Sequence, residues 1–202
     1  MNSFFEKILA YESLVVALIT LVSTLLGIWL KGRLAKENKD RELEEATVKN
    51  ENILSLLKRI NKKLNADRVY IFEFHNGTYF SSGLPMQKFT CTYEVVGDGI
   101  SAECHNPGEY RVSNFNEYIM GIINERDFIV EDTTKMRAHP LLKNLLTEKG
   151  VKSLYNFPIR DLKNKTIGFI GVDFVKENVS LDEENVNHIR AAAKLVAGYV
   201  AK

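Results

Sequence analysis

The sequence predicts an α+β protein, an antiparallel sheet flanked by helices, preceded by a transmembrane helix and a helical connector. Three observations carry this. A stretch without a charge, "SLVVALITLVSTLLGIWL" over 13–30, lies near the N-terminus. A proline-free, charge-rich stretch with apolar residues three and four apart follows it to about residue 65. From Asp67 the apolar period changes to two, and strand-like runs then alternate with amphipathic helical segments. The parts in order are a short tail over 1–12, the transmembrane helix over 13–30, the connector over 31–65 and a folded domain over 66–202.

The uncharged stretch is 18 residues long. At 1.5 Å per residue it spans roughly 27 Å of helix, close to the ~30 Å hydrocarbon core of a bilayer. Eleven of its residues are Leu, Ile or Val. Each favours insertion by about 0.3–0.6 kcal/mol, several kcal/mol in sum. Leu14, Leu18 and Leu25 lie along it, and Tyr11 and Trp29 stand at its ends, where amphipathic rings settle at headgroup level. A cleaved signal peptide fits poorly, because Glu6 and Glu12 sit near the start and the exit is basic. Lys31, Arg33, Lys36, Lys39 and Arg41 follow the segment, whereas only Lys7 precedes it. The positive-inside rule therefore predicts a single-pass protein with its C-terminal domain in the cytoplasm.

Within the connector, Leu43, Ala46, Asn50, Ile53, Leu57, Ile60 and Leu64 keep heptad spacing. Asn50 falls at a seam position, where one polar residue fixes register. The expectation is a parallel two-helix contact and hence a homodimer. The alternative is a single amphipathic helix packed on its own domain.

The domain opens with "RVYIFEF", in which Tyr70, Phe72 and Phe74 share one face and Val69, Ile71 and Glu73 the other. His75-Asn76-Gly77 is expected to end that strand, since Asn-Gly is the commonest tight-turn dipeptide. "KFTCTYEVV" forms a second strand with Phe89, Cys91, Tyr93 and Val95 on one face. "NFNEYIMGIINERD" reads as a helix with Tyr118, Ile119, Ile122 and Ile123 inward, and "DFIVED" as a short strand. A further helix starts at Pro140 and stops at Gly150. "VKSLYNFPIRD" and "KTIGFIGVDFV" pair as a hairpin across the polar turn 161–165, with Phe157-Pro158 marking an edge or bulge. The closing helix has a capping box at Ser180 and Glu183 and an inward stripe of Val186, Ile189, Ala193, Val196 and Val200. Val186, Ile189 and Val196 join the connector residues as candidates for a dimer bundle.

"VKSLYNFPI" followed by "KTIGFIGVDF" and a terminal helix resembles the closing half of a GAF domain, and "RVYIFEF" and "DFIVEDTTKM" fit the same plan. The resemblance covers about 53–202. It implies a PAS-related sheet, a pocket between the sheet and the helical crossovers, and roles in small-molecule sensing and dimerisation.

Six residues are candidate ligand contacts. His75 and Asn76 are pocket-rim residues if their break is more than a turn, with Tyr79 and Phe80 as an apolar flap. Glu73 and Asp173 are carboxylates among apolar strand neighbours; on adjacent strands they either form a coupled pair able to hold a cationic ligand or sit at strand ends and reach solvent. Tyr93 and Asn156 either line the cavity or only pack. No cofactor is indicated by these residue types.

Chemistry beyond binding finds little support. Net charge is +1, so no basic field points to nucleic acid. No GxSxG, HExxH, Walker A or zinc-knuckle spacing occurs. Cys91 and Cys104 are the two cysteines, without a CxxC. A disulfide scaffold is therefore not expected, and Cys91 reads as core. A metal site from Cys91, Cys104, His75 and His105 has no ligand spacing behind it. One enzymatic branch of the GAF family reduces free methionine sulfoxide with several cysteines. That reading requires Cys91 and Cys104 to approach within about 7 Å between Cα atoms. The expected function is a membrane-anchored, dimeric, non-catalytic sensory module that binds a small molecule or a protein. The alternative is a structural or recruitment protein at the membrane, such as one acting in phage lysis.

Overall fold

The computed structural model describes residues 2–104, 110–124 and 126–200, with side chains from Leu14 onward except Thr78. The side chain of Tyr11 and all of His105 lie outside the described residues. The chain divides into two compact units, 1–49 and 50–202.

The first unit is helix. Helix α1 runs Asn2–Leu64, and its early part is long and apolar enough, by length and composition, to cross a membrane. From Leu14 to Leu30 its large side chains are exposed. Thr20 Oγ donates to the Val16 carbonyl at 2.8 Å and Thr24 Oγ to the Thr20 carbonyl at 2.7 Å. Both hydroxyls are thus satisfied within the helix. Arg33 and Arg41 pair with Glu37 and Glu45 one turn on. Such exposed pairs contribute only about 0.3–0.5 kcal/mol each.

The second unit is a six-stranded antiparallel sheet with helices on both faces. Its strands are β1 (Arg68–Tyr79), β2 (Pro85–Val96), β3 (Tyr110–Arg111), β4 (Phe128–Val130), β5 (Ser153–Arg160) and β6 (Thr166–Phe174), in spatial order β3-β2-β1-β6-β5-β4. Helices α2 (Asn116–Ile123) and α3 (Pro140–Glu148) interrupt the strands, and α4 (Glu183–Val200) closes the chain.

On one face, the end of α1 and α4 pack over Val69, Ile71, Phe157, Ile170 and Val172. The heptad-spaced residues serve this core. Ile53, Leu57 and Ile60 are fully buried, Leu64 nearly so, and Val186, Ile189 and Val196 are buried beside them. These seven side chains are occupied within their own domain, so they do not offer a seam to a second helix. Three–four spacing suits a sheet-packed helix as well as a coiled coil, and here the alternative of a single amphipathic helix holds. Leu43 and Asn50 are exposed, and Asn50 Oδ1 accepts from the Tyr93 hydroxyl at 2.6 Å.

Three further expectations change. Strand β1 does not stop at His75-Asn76-Gly77 but continues to Tyr79, with His75 opposite Lys88 and Asn76 opposite Gln87. The turn comes later. Phe80 N–H donates to the Leu84 carbonyl at 2.9 Å, and Gly83 takes φ +78°. The Asn-Gly pair instead sits beside a register irregularity between Asn76 and Tyr79. At α4, Ser180 donates to Glu131 rather than capping, and Asp182 Oδ1 accepts from the Asn185 N–H at 2.8 Å. Ile123 ends α2 and is exposed rather than inward. Pro158 fits its expected place, since β4 pairs β5 only from Leu154 to Asn156 and leaves Pro158 on a free edge.

Candidate functional site

A cavity of about 70 Å³ lies between the second sheet face and helices α2 and α3. Period-two alternation builds its floor. Arg68, Tyr70 and Phe72 point to it from β1, and Phe169 and Asp173 from β6. Between those two lies Gly171, opposite Tyr70 and Asn156. A Cβ there would overlap the Tyr70 ring and Asn156 Oδ1, so only glycine lets these two polar groups meet.

Strand β2 contributes through a bulge. Ile71 pairs with Tyr93 but Phe72 pairs with Cys91, so Thr92 is the extra residue. The bulge moves the second half of the strand by one face. Phe89 and Cys91 line the cavity, Glu94 joins them, and Tyr93 and Val95 turn to the α1 side. Strict alternation across "KFTCTYEVV" puts Tyr93 beside Cys91, and the extra residue separates them.

Aromatic rings form one end of the cavity. Phe72 stacks on Phe169 at 5.1 Å, and Phe89 on Tyr110 at 5.3 Å, with Phe115 edge-on to both Phe89 and Tyr110. Such pairs contribute about 0.5–1.5 kcal/mol beyond their burial. A polar chain crosses the middle. Tyr70 donates to Asn156 Oδ1 at 3.2 Å, and Asn156 Nδ2 donates to the Tyr118 oxygen at 2.6 Å. Burial raises both phenols far above their ordinary range, so they stay protonated. Among the described residues no hydrogen bond uses the Tyr118 proton.

The other end is ionic. Arg68, 2% exposed, donates from Nε to both Asp173 oxygens at 3.0 and 3.1 Å, from Nη1 to Glu103 at 3.3 Å and from Nη2 to the Lys149 carbonyl at 3.1 Å. Lys149 Nζ lies 3.1 Å from the other Glu103 oxygen. Glu94 Oε2 accepts the backbone N–H groups of Glu103 and Cys104, each at 2.8 Å. Burial pushes the Asp173 carboxyl up to about 6 against the pull of Arg68. It remains ionised at neutral pH. Burial alone would lower the Arg68 guanidinium, and the Asp173 charge reverses that.

Cys91 and Cys104 form a disulfide with Cα atoms 5.2 Å apart. This corrects the reading of Cys91 as a free core thiol, and it meets the distance condition set for a redox pair. Cysteines 13 residues apart with no repeat carry no such signal. It is the chain leaving β2 and turning back that brings them together.

Of the six candidate residues, the structure gathers Asn156 and Asp173 at the cavity. Glu73 lies on the opposite sheet face, across from Gly168, and accepts from Thr92 Oγ at 2.9 Å. The expected Glu73–Asp173 pair is therefore not formed, although β1 and β6 are neighbours. Tyr93 is on the α1 side. His75, bonded through Nε2 to Thr90 Oγ at 2.7 Å, and Asn76 border a separate open groove of about 420 Å³ with Gln87 and Lys165. The groove is larger, but among the described residues that line it no ion pair or buried polar chain converges on it. Arg68, Tyr70, Glu94, Glu103, Tyr118 and Lys149, which also line the cavity, are not among the six. Arg68 was legible in principle, since it continues the Tyr70-Phe72 face by one step and is the cation that a buried Asp173 requires. Among the described residues no cluster of three His, Cys, Asp or Glu side chains suits a metal.

Asp67 fixes the mouth of the β1–β6 pair. It accepts the N–H groups of Val175 at 2.6 Å and Lys176 at 2.9 Å, with Lys176 Nζ at 3.3 Å. Burial alone would raise its carboxyl, and these bonds outweigh burial and lower it. A lowered folded value means stability that is present above the ordinary value of 3.8 and lost as pH falls through the folded value. Asp67→Asn should therefore cost about 1–3 kcal/mol at pH 7. The loss should shrink towards pH 3 in urea titrations at several pH values, and a deficit constant with pH would contradict this.

The family model described as "GAF domain" matches residues 53–200. Solved structures share the fold. The blue-light absorbing form of the PixJ GAF domain from Thermosynechococcus elongatus has TM-score 0.60 and 15% identity, covering 77% of this chain and 86% of that one. The GAF domain region of a putative membrane protein from Geobacter sulfurreducens PCA has TM-score 0.58 and 18% identity, covering 79% and 97%. A far-red absorbing dark-state structure with bound biliverdin IXa has TM-score 0.58 and 14% identity, covering 78% and 96%. No curated protein matches the sequence. The matched span takes in the whole sheet, the end of α1, and α4, together with the cavity, and the chain belongs to the GAF domain family.

Proposed function

We propose that the chain is a membrane-anchored sensory module. The helix over 13–30 lies in lipid and the GAF domain on the cytoplasmic side, where it binds a small molecule in the aromatic cavity without turning it over. The observation that carries this reading is the convergence of buried polar groups on an aromatic-walled space: the Tyr70–Asn156–Tyr118 chain and the Arg68–Asp173 pair. Few convergent polar groups in an apolar wall are the usual make-up of a ligand site. Three carboxylates, Glu94, Glu103 and Asp173, face two cations, Arg68 and Lys149, so the lining favours a neutral or cationic planar ligand over an anion. Biliverdin does not fit, because a cavity of about 70 Å³ is far too small for a four-ring chain.

That small volume favours a second reading, in which the interior serves packing and the protein recruits partners to the membrane. The reductase alternative rests on cysteine proximity alone, with two cysteines where that branch uses several. Self-association would fall to residues outside the buried core, such as Leu43 and the outward Leu195 and Tyr199.

One experiment separates sensing from packing. Native mass spectrometry of the detergent-solubilised full chain, with and without dithiothreitol, should show a retained small molecule, or benzamidine binding when that planar cation is added. Either adduct should vanish in Leu145→Trp, which fills the cavity. No adduct, or one that survives Leu145→Trp, would sink the sensory reading. In parallel, Leu18→Arg with Leu25→Arg should add about 5–7 kcal/mol to insertion and release the protein from carbonate-washed membranes.

A further inference from the structure

We propose that the Cys91–Cys104 disulfide is a redox latch that holds the 97–104 segment against the ionic end of the cavity, and that its reduction widens the cavity for ligand. The inference rests on the reading of that cavity as a ligand site and adds how entry is controlled.

The geometry is specific. Cys91 is part of the cavity wall on β2. Cys104 lies at the far end of the segment that leaves β2 after Val96. Between them the chain makes a turn, with Gly97 N–H on the Asp67 carbonyl and Ile100 N–H on the Gly97 carbonyl. Ser101 and Ala102 are exposed. The segment meets the cavity only at its end. There Glu103 reaches Arg68 and Lys149, and Glu94 holds the N–H groups of Glu103 and Cys104. The remaining walls are strands and helices. Among the described residues, 97–104 is the one wall tied down by side-chain bonds and a reducible link.

Those bonds are coupled to the link. Glu94 can accept both N–H groups only while Cys104 is drawn back beside β2. Without the covalent tie, Glu103 must hold its place through ion pairs that are partly open to water, its side chain being 24% exposed. Exposed or half-exposed pairs hold a chain weakly. Glu103 closes the ionic end of the cavity, so a ligand that reaches Arg68 and Lys149 requires that wall to move. Both cysteines are half-buried, so a thiolate can reach the bond.

The step balances as thiol–disulfide exchange. A dithiol reductant attacks one sulfur, passes through a mixed disulfide and leaves as its own disulfide. It delivers two electrons and two protons, and Cys91 and Cys104 become thiols. The cytoplasmic side proposed above is one where thiols are kept reduced. There a disulfide serves as a transient sensing bond rather than a permanent staple.

The test uses the full chain in detergent. Alkylation before and after dithiothreitol first establishes the bond. Hydrogen exchange then compares oxidised and reduced protein. Reduction should speed exchange across 97–104 by about tenfold or more, while β1, β5, β6 and α4 keep their protection. Cys91→Ser with Cys104→Ser should match the reduced protein under both conditions. Benzamidine should bind the reduced form about tenfold more tightly, a coupling of about 1.4 kcal/mol. Cysteines that alkylate without reductant, unchanged exchange, equal benzamidine affinity in both states, or loss of protection throughout the sheet would each overturn the latch. Failure of the ligand reading looks different: exchange quickens on reduction, but neither redox state retains any small molecule.

Discussion

Arg68→Met should destabilise the GAF domain by about 3–5 kcal/mol, the usual result of removing one partner from a buried ion pair. The guanidinium is 2% exposed and makes four hydrogen bonds, two of them to Asp173, which is 4% exposed. Methionine fills much of the volume, so the loss is electrostatic rather than a cavity effect. It leaves the Asp173 carboxylate and the Lys149 carbonyl without their donor. The penalty should also depend on pH in a defined sense. With Arg68 present, burial already holds Asp173 at about 6, above its ordinary 3.8. Removing the cation moves it higher still. The folded state then binds a proton that the unfolded state lacks over a wider range, and stability falls as pH rises through that range. The deficit of Arg68→Met relative to the native chain should be greater at pH 8 than at pH 5. Adding Asp173→Leu should recover most of it, because an apolar pair in place of a buried ion pair is often neutral or better. Urea unfolding monitored by circular dichroism checks all three points. A loss under 1 kcal/mol, or one that grows towards acid pH, would refute the assignment.

That ion pair marks the boundary of what the residues alone disclosed. The order of strands and helices was readable because each segment carries its own period. Runs such as Val69-Ile71 against Tyr70-Phe72, or the closing stripe at Val186, Ile189 and Val196, need no tertiary information. The cavity was half readable. Asn156 and Asp173 stand out as polar residues in otherwise buried strands. Their partners come from places that period counting does not connect: Arg68 105 residues earlier, and Tyr118 38 residues away on a helix. The extra residue at Thr92 is the sharpest loss. One residue inserted into a strand exchanges the faces of everything beyond it. That exchange moved Tyr93 out of the site and Glu94 into it. Asn76-Gly77 misled for a related reason. The dipeptide is favoured where the backbone departs from a regular ladder, and a register irregularity uses it as readily as a tight turn does.

The same ambiguity governs α1, and there a substitution separates the two readings. Leu57→Ala should cost about 2–5 kcal/mol, the range for truncating a buried leucine whose surroundings relax only in part. Leu57 is fully buried among the apolar residues of β1, β5, β6 and α4. Its spacing from Ile53, Ile60 and Leu64 is also that of a coiled-coil seam, and a seam residue has a different signature. Truncating a seam lowers the mass of the particle and makes stability depend on protein concentration. Truncating a core residue lowers the unfolding midpoint equally at every concentration and leaves the oligomeric state alone. At about 2–4 °C per kcal/mol for a domain of this size, the drop in melting temperature is large enough to resolve. Lys62→Ala on the exposed side of the same helix provides the control, with a change within about 0.5 kcal/mol expected. Light scattering and thermal unfolding of the solubilised chain at two concentrations decide the matter. A Leu57→Ala protein that changes mass but not its midpoint would mean that this leucine faces a second chain. The sheet would then keep, among the described elements, only α4 over Val69, Ile71 and Val172.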